Sequence, residues 1–347
     1  MRKCFVVVIL LCCIILPVNA TEFNAPVAPE SAQLYMPNAQ ETFGQGLWHI
    51  IKTAVSVIGP SLTDAAGTCL SVVVIVVLVC ILKTLQNDSS LAIRMTGSVV
   101  VGILLLEPVS SMMSLGANTV QEISDYSKLL LPVMTAALAA QGGTTTSAAL
   151  YTGTAFFNAL LTTIISKIII PAVYIYLALC VANSALEQDL LKKVRDNVKW
   201  VMTWLMKWTL YFFTGYLSIT GVVSGAVDAS VLKAAKIGIS GAVPVVGGIL
   251  SDATETILVS AGLMKNAAGI YGIFAVLSIC VGPFVKIGLQ YLLLKLTSAI
   301  TDTLDCKPVA SLVQSFSTGM GFVLAMTGSV CALLLVSLVC FMKGVGL

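Results

Sequence analysis

Few side chains in this 347-residue chain could carry out chemistry. His49 is the only histidine, which excludes a histidine-based metal site or a serine–histidine pair inside the apolar segments. The ten cysteines include no CxxC pair, and nine of them lie in or beside apolar runs, as small packing residues do. The chain also lacks a phosphate-binding loop, an HExxH or GxSxG motif, and paired carboxylates at a fixed spacing. We therefore expect a protein that is not an enzyme and that binds no cofactor or metal.

Five ionisable residues do fall inside apolar runs: Glu107, Lys167, Lys207, Lys286 and Lys295. Such residues are functional candidates in a membrane segment, because burying a charge in lipid is costly. Glu107 is the one carboxylate, and we treat it as a candidate pathway residue. It lies past the middle of its segment, so it could also reach the outer interface. Lysines alone make no proton relay, which favours passive conduction, or a scaffold for an energised partner, over a self-contained pump.

The composition is that of an integral membrane protein. Hydrophobic residues make up 58% of the chain and charged residues only 10%, and the mean hydropathy is +0.99. A soluble domain needs more surface charge than this. The apolar runs have the length of membrane-spanning helices, which predicts an all-α, polytopic helical bundle. A net charge of +3, scattered over loop ends, makes nucleic acid an unlikely partner.

The N-terminus has the features of a secretory signal peptide. Arg2 and Lys3 precede an apolar core, and small residues stand at Val18 and Ala20, which predicts cleavage after Ala20. An uncleaved anchor is the alternative, and both place residues 21–66 outside the cytoplasm. Apolar residues between 41 and 58 predict a short amphipathic helix, either at the membrane interface or packed on the protein.

Six apolar stretches are long enough to cross a bilayer: 67–86, 95–115, 150–186, 200–226, 267–299 and 314–342. The basic residues that follow the first span, and those of the loop 187–199, place these two loops in the cytoplasm by the positive-inside rule. The stretches around Pro171 and Pro283 are longer than a ~30 Å core requires, so each is either one kinked helix that projects from the membrane or two helices. If each of these is a helical hairpin instead, the chain crosses eight times.

A possible internal duplication organises the membrane region. Pro132 lies 39 residues before Pro171, and Pro244 lies 39 residues before Pro283, so the two pairs are offset by 112 residues. This spacing predicts a two-span unit at 67–127, a first repeat at 128–226 and a second at 240–342. Six spans would make the repeats parallel, whereas eight would make them inverted, as in many transporters.

Each predicted repeat opens with a short apolar segment interrupted by proline and glycine. Such segments are typical of re-entrant helices, which are tolerated only where protein or water covers them. Paired segments of this kind point to a pathway or binding site, although close packing of small residues explains them equally well. With Glu107, the candidate residues are Pro132, Gly142, Gly143, Pro244, Gly247 and Gly248.

Four strings of the chain resemble a known family. They are LLLPVMTAALAAQGGTTTSAAL, TGYLSITGVVSGAVD, KIGISGAVPVVGGILSDATETIL and LMKNAAGIYG. With the signal peptide and the polar N-terminal segment, their order is similar to that of stage III sporulation protein AE of endospore-forming bacteria. The likeness extends over the chain from about residue 40.

The resemblance implies a multi-pass protein of the mother-cell membrane that faces the forespore. It further implies a role as a subunit of a secretion-like channel needed for endospore formation. The implied partners are the other stage III sporulation A proteins, among them an ATPase and ring-forming subunits, and through them a forespore membrane protein. A homo-oligomer is also possible. The family has no catalytic motif to transfer. The alternative is a stand-alone transporter with re-entrant segments at Pro132 and Pro244.

Overall fold

The computed structural model describes residues 26–38, 41–85, 90–186, 189–242, 247–304 and 306–343, with only the backbone described for 64, 83–85, 90–94, 186, 189–190, 218–242 and 247–265. The elements are α-helices apart from one π-helical turn: α1 (Glu30–Gln33), α2 (Phe43–Leu85), α3 (Ser90–Ala140), α4 (Thr144–Ile164), the π-helical turn (Ile165–Ile169), α5 (Ile170–Leu186), α6 (Asp189–Ala242), α7 (Gly247–Thr303) and α8 (Lys307–Lys343). The predicted all-α class is therefore confirmed.

Five helical rods are long and apolar enough to cross a membrane: Phe43–Leu82, Met95–Ala140, Thr144–Ala185, Asn266–Thr303 and Lys307–Lys343. They overlap five of the six predicted spans. The sixth, 200–226, falls in α6, where the described side chains end at residue 217. The internal duplication stays a prediction.

The first membrane helix is longer than the sequence suggested. The predicted amphipathic helix at 41–58 and the predicted span at 67–86 are parts of one 43-residue helix, α2, which continues through Pro60. The predicted boundary at residue 66 therefore falls within a helix. A proline costs one backbone hydrogen bond, and a long helix with strong apolar flanks can accommodate that loss. The start of α2 packs on α7, where the rings of Phe43 and Phe274 stack 5.4 Å apart.

The segment around Pro132 is not a separate re-entrant helix. Residues 90–140 form one continuous helix, α3, with Pro108 and Pro132 inside it, so the boundary predicted at residue 127 falls within a helix. The chain turns only after Ala140. Gly142 has a φ of 89°, which L side chains rarely adopt, and Gly143 precedes the first turn of α4. The glycine pair, and not the proline, ends the helix.

The long stretch that contains Pro171 is also a single rod. α4, the π-helical turn and α5 follow one another without a reversal. A proline ring clashes with the carbonyl four residues earlier, here that of Lys167, and the π-helical turn lies at this carbonyl. Pro283, at the matched position, lies inside the continuous α7. The hairpins required for eight spans are therefore not formed.

The core of the bundle is the antiparallel pair α7 and α8. In their most apolar windows, 56% of α7 and 61% of α8 is buried, compared with 28% of α2. Small residues permit close contact: a Cβ on Gly116 of α3 would lie 2.5 Å from Val323 of α8. Thus α7 and α8 are largely covered by protein, whereas α2 lies at the periphery.

The segment before α2 is fixed to the bundle. The hydroxyl of Tyr126 donates to the carbonyl of Pro26 at 3.3 Å, and the amide of Ala28 donates to the hydroxyl of Tyr271 at 3.3 Å. The hydroxyl of Ser31 donates to Glu122 at 2.7 Å. Tyr35 is buried, and its burial raises the pKa of its hydroxyl. Residues 26–36 therefore form a strap that ties α3 to α7.

Candidate functional site: a polar face on the third helix

One outward face of α3 changes character along its length. Near its start, this face exposes Val100 and Ile103. Between residues 107 and 128, the exposed positions follow at alternating intervals of four and three residues and are all polar: Glu107, Ser111, Ser114, Asn118, Gln121, Asp125 and Lys128. Alternating spacing of four and three keeps residues on one side of a helix. We call these seven residues the polar stripe.

A cleft of about 330 Å³ lies between the C-terminal part of the polar stripe, from Gln121 onward, and α4. Hydroxyl, amide and ammonium groups supply much of its lining: Gln121, Ser124, Ser127, Lys128, Tyr151, Asn158, Thr162, Thr163 and Ser166. A wall this polar is unusual between two apolar helices, because lipid-facing or tightly packed contacts rarely hold so many hydrogen-bonding groups. The cleft and the stripe share Gln121 and Lys128.

Asn158 lies at the bottom of this cleft and is only 3% exposed. Its amide nitrogen donates to the hydroxyl of Ser127 at 2.7 Å and to that of Ser124 at 3.3 Å. Its carbonyl oxygen, also buried, has no hydrogen-bond partner within the described part of the chain. A buried amide oxygen without a partner is costly, so a donor that enters the cleft would be bound there.

The charges near the end of the stripe neutralise each other. The ammonium of Lys128 donates to the carboxylate of Asp125 at 2.7 Å, and the amide of Gln121 donates to the same carboxylate at 3.0 Å. Both ions are more than half exposed, so the pair adds little stability. The two charges of this pair therefore cancel at the C-terminal end of the stripe.

The candidate residues predicted from sequence are not brought together as one site. Glu107 begins the polar stripe, whereas Pro132 is exposed 25 residues further along the same helix, about 38 Å away at 1.5 Å per residue. Gly142 and Gly143 form the turn between α3 and α4. Gly247 and Gly248 are the first residues of α7, and Pro244 lies outside the described residues.

The four lysines in the apolar runs, Lys167, Lys207, Lys286 and Lys295, are all exposed on the outer surface. Lys295 lies over the ring of Tyr291, with its nitrogen 5.8 Å from the ring centroid. Among the described side chains, the buried polar ones are serine, threonine, asparagine and glutamine, and none is charged. The described interior thus contains no buried carboxylate, histidine, lysine or arginine of the kind that proton-coupled pumps use.

The outer face of α6 is aromatic. Trp200, Trp204 and Trp208 succeed one another with ring centroids 6.3 and 5.9 Å apart, and Phe212 lies 5.4 Å beyond Trp208. All four are exposed. We call this row, with Tyr211, the aromatic ladder. Such a face suits the bilayer interface and adjoining lipid.

Sequence reasoning missed the polar stripe, although a signal for it was present. Polar residues recur at intervals of four and three from 107 to 128, and a helical projection of that stretch would have shown them on one face. The cleft had no comparable signal, because it depends on how α4 packs beside α3.

Comparisons with known proteins agree with one another. A family model described as stage III sporulation protein AE matches residues 33–344. Stage III sporulation protein AE of Bacillus subtilis (strain 168) is 25% identical to the chain over 285 residues, which cover 80% of this chain and 70% of that protein. No solved structure matches the chain. Since the family model extends over almost the whole of the described bundle, the resemblance seen in the sequence is confirmed, and the chain belongs to the stage III sporulation protein AE family.

Proposed function

We propose that the protein is a multi-pass membrane subunit of the secretion-like channel between mother cell and forespore that endospore formation requires. The polar stripe on α3 is the observation that carries this proposal. A bundle that met only lipid would have outer faces that are apolar throughout, as residues 72–82 of α2 are. A polar face on a membrane helix needs water or another protein beside it, and a channel subunit supplies both.

The proposal includes a place and partners. We place the protein in the mother-cell membrane that faces the forespore, with its N-terminal segment outside the cytoplasm. We expect it to assemble with the other stage III sporulation A proteins, including the ATPase and the ring-forming subunits. Membership in the family supports these expectations, and the absence of buried charges among the described side chains suits a subunit whose energy comes from a partner.

A stand-alone transporter is the alternative, and it has less support. Its predicted re-entrant segment at Pro132 is part of a continuous helix. Energy-coupled transporters commonly bind their ions at broken helices and at buried charges near the middle of the membrane. The described part of this bundle offers neither feature, although the segment at Pro244 lies outside it.

The proposal is tested by recovering the tagged protein from sporulating cells in a mild detergent and identifying what accompanies it. We expect the stage III A ATPase and the ring-forming proteins in the eluate. Recovery of the protein without them, from cells that contain them, would contradict the channel proposal and favour an independent transporter.

A further inference from the structure

The cleft between α3 and α4 contains a second buried polar atom that lacks a partner. Besides the carbonyl oxygen of Asn158, the hydroxyl of Thr162 is buried and makes no hydrogen bond to any described residue. Residues four apart lie on the same face of a helix. Two neighbouring groups in one wall of the cleft are therefore left without partners, which costs free energy unless a bound molecule supplies them.

The orientation of the Asn158 amide is fixed by its neighbours. The hydroxyl of Ser127 donates its proton to the carbonyl of Ser124 at 2.7 Å, so towards Asn158 it can only accept a hydrogen bond. The amide nitrogen must therefore face Ser127, as it does at 2.7 Å. Turning the amide by half a rotation would bring its oxygen against another acceptor. The oxygen, and not the nitrogen, is thus the atom that needs a partner.

The chemistry of the cleft selects against ions and against purely apolar molecules. Among the described lining residues only Lys128 is charged, and it is more than half exposed and already donates to Asp125 at 2.7 Å. An ion that entered would lose its water without gaining a buried opposite charge. An apolar molecule would leave the oxygen of Asn158 unpartnered. The occupant must therefore be neutral and must donate hydrogen bonds.

A molecule with several hydroxyls fits this wall best. A hydroxyl donates through its proton and accepts through its oxygen, so neighbouring hydroxyls of one ligand can serve both Asn158 and Thr162. The side chains of Thr163 and Ser166 extend the polar lining by about one further turn. The wall is thus a row of small polar groups and not a single donor or acceptor.

The other end of the cleft suits the carbon skeleton of such a molecule. Leu131, Tyr151 and Ala155 line it there, and Tyr151 is 39% exposed. Sugars and glycerol present C–H groups as well as hydroxyls, and C–H groups gain dispersion energy on a ring. The volume of about 330 Å³ lies at the lower end of the range for small-molecule sites, about 300–1,000 Å³.

The strap indicates the side from which a ligand reaches the cleft. Residues of the strap bond to Glu122 and Tyr126 of α3, which lie in the same stretch as the lining residues between Gln121 and Lys128. The N-terminal segment is expected outside the cytoplasm, so the cleft lies at the extracytoplasmic level of the bundle. A lipid headgroup of the outer leaflet and a dissolved sugar both have access from that side.

We propose that the cleft is a binding site for a neutral polyol, a sugar or glycerol group, whose hydroxyls donate to the carbonyl oxygen of Asn158 and bond to the hydroxyl of Thr162. This inference goes beyond the channel proposal and does not depend on it, because both walls of the cleft belong to this chain.

Lipid binding to the purified full chain provides the first measurement. The protein is kept in an amine-oxide detergent, since a detergent with a sugar headgroup would compete. Native mass spectrometry compares a glucosyl diacylglycerol and phosphatidylglycerol with phosphatidylcholine, whose headgroup has no hydrogen-bond donor. Equilibrium dialysis with labelled glucose and glycerol measures the free polyols. We expect hydroxylated lipids to bind at least about threefold more tightly than phosphatidylcholine, as one additional hydrogen bond allows.

Two valine variants locate the binding. Thr162→Val removes the unpartnered hydroxyl and breaks no hydrogen bond of the described structure, so its folding should be preserved. Thr152→Val is the matched control, because Thr152 is an exposed residue of α4 that does not line the cleft. We expect Thr162→Val to weaken polyol binding about two- to tenfold, whereas Thr152→Val should leave it unchanged.

The two sources of the polyol are distinguished by which probe depends on Thr162. A dependence seen only with the glucosyl lipid or phosphatidylglycerol identifies a headgroup site, and a dependence seen with free glucose or glycerol identifies a site for dissolved polyols. Either result supports the proposal. If Thr162→Val and Thr152→Val bind every probe as the parent does, the cleft is not a polyol site, whether or not the ATPase is recovered with the protein.

Discussion

The outer faces of α2 and α3 belong to neighbouring helices of one bundle, yet they differ in chemistry. α2 exposes Leu70, Val74, Leu78 and Ile81 over its apolar half. α3 begins in the same way and then exposes the seven residues of the polar stripe. The comparison teaches that overall hydropathy does not identify what surrounds each part of a membrane helix, because both helices qualify as spans by length and composition.

The largest expected effect comes from placing the same charged side chain on each of the two faces. Val74→Lys places a charge on the apolar face of α2, at a cost of about 2.5–3.5 kcal/mol near the middle of a bilayer. We expect little protein in the membrane fraction. Ser114→Lys adds the same side chain to the polar stripe and should leave the protein level near that of the parent. Immunoblots of membranes measure both, and equal loss would show that the two faces meet the same surroundings.

The second prediction concerns the side of α3 that packs on α8, opposite in character to the polar stripe. Gly116 faces α8, where a Cβ would lie 2.5 Å from Val323. Gly116→Leu should destabilise the bundle by about 1–3 kcal/mol through overpacking, measured as a lower thermal unfolding temperature in detergent. Gly67→Leu on α2 is the matched control, since nothing lies within 4 Å of its Cβ position. An unchanged unfolding temperature for Gly116→Leu would contradict the contact between α3 and α8.

A smaller effect is expected where the cleft meets the stripe. Asn158→Leu removes the hydrogen bonds to Ser124 and Ser127 but also removes the unpartnered carbonyl oxygen, so the net loss should be about 1 kcal/mol. The thermal unfolding temperature measures it. Gln121 lines the cleft and Ser111 does not, so reaction with a charged methanethiosulfonate reagent should slow for Gln121→Cys in the Asn158→Leu background but not for Ser111→Cys.

The smallest effect concerns the exposed ion pair. Lys128→Gln breaks the contact with Asp125, and a surface pair one turn apart on a helix contributes only about 0.2–0.5 kcal/mol. We expect no measurable change in the unfolding temperature. The charge of the stripe does change, so a cationic thiol reagent should reach Gln121→Cys faster in this background than an anionic reagent does. A large drop in stability would mean that the pair is buried in an assembly interface.

Much of the fold could be predicted from sequence, because long apolar runs fix where helices cross. The residues at which helices end were harder to predict. Pro60, Pro132 and Pro283 all lie inside continuous helices, since neighbouring turns and packing can satisfy the groups that a proline frees. Gly142 does end a helix, because it adopts a backbone conformation that other residues avoid. The candidate site was less accessible to prediction, because attention to isolated charges led to Glu107 but not to the row of neutral polar residues after it.

The π-helical turn at Ile165–Ile169 has a consequence for how this rod could change over evolution. A π-helical turn accommodates one extra residue, and one residue turns the rest of an α-helix by about 100°. The half of the rod before this turn lines the cleft through Tyr151, Asn158 and Thr162, whereas no residue beyond Pro171 lines it. Deletion of a single residue in this turn would rotate the two halves out of phase, so insertions and deletions should be tolerated in the connecting loops long before they are tolerated here.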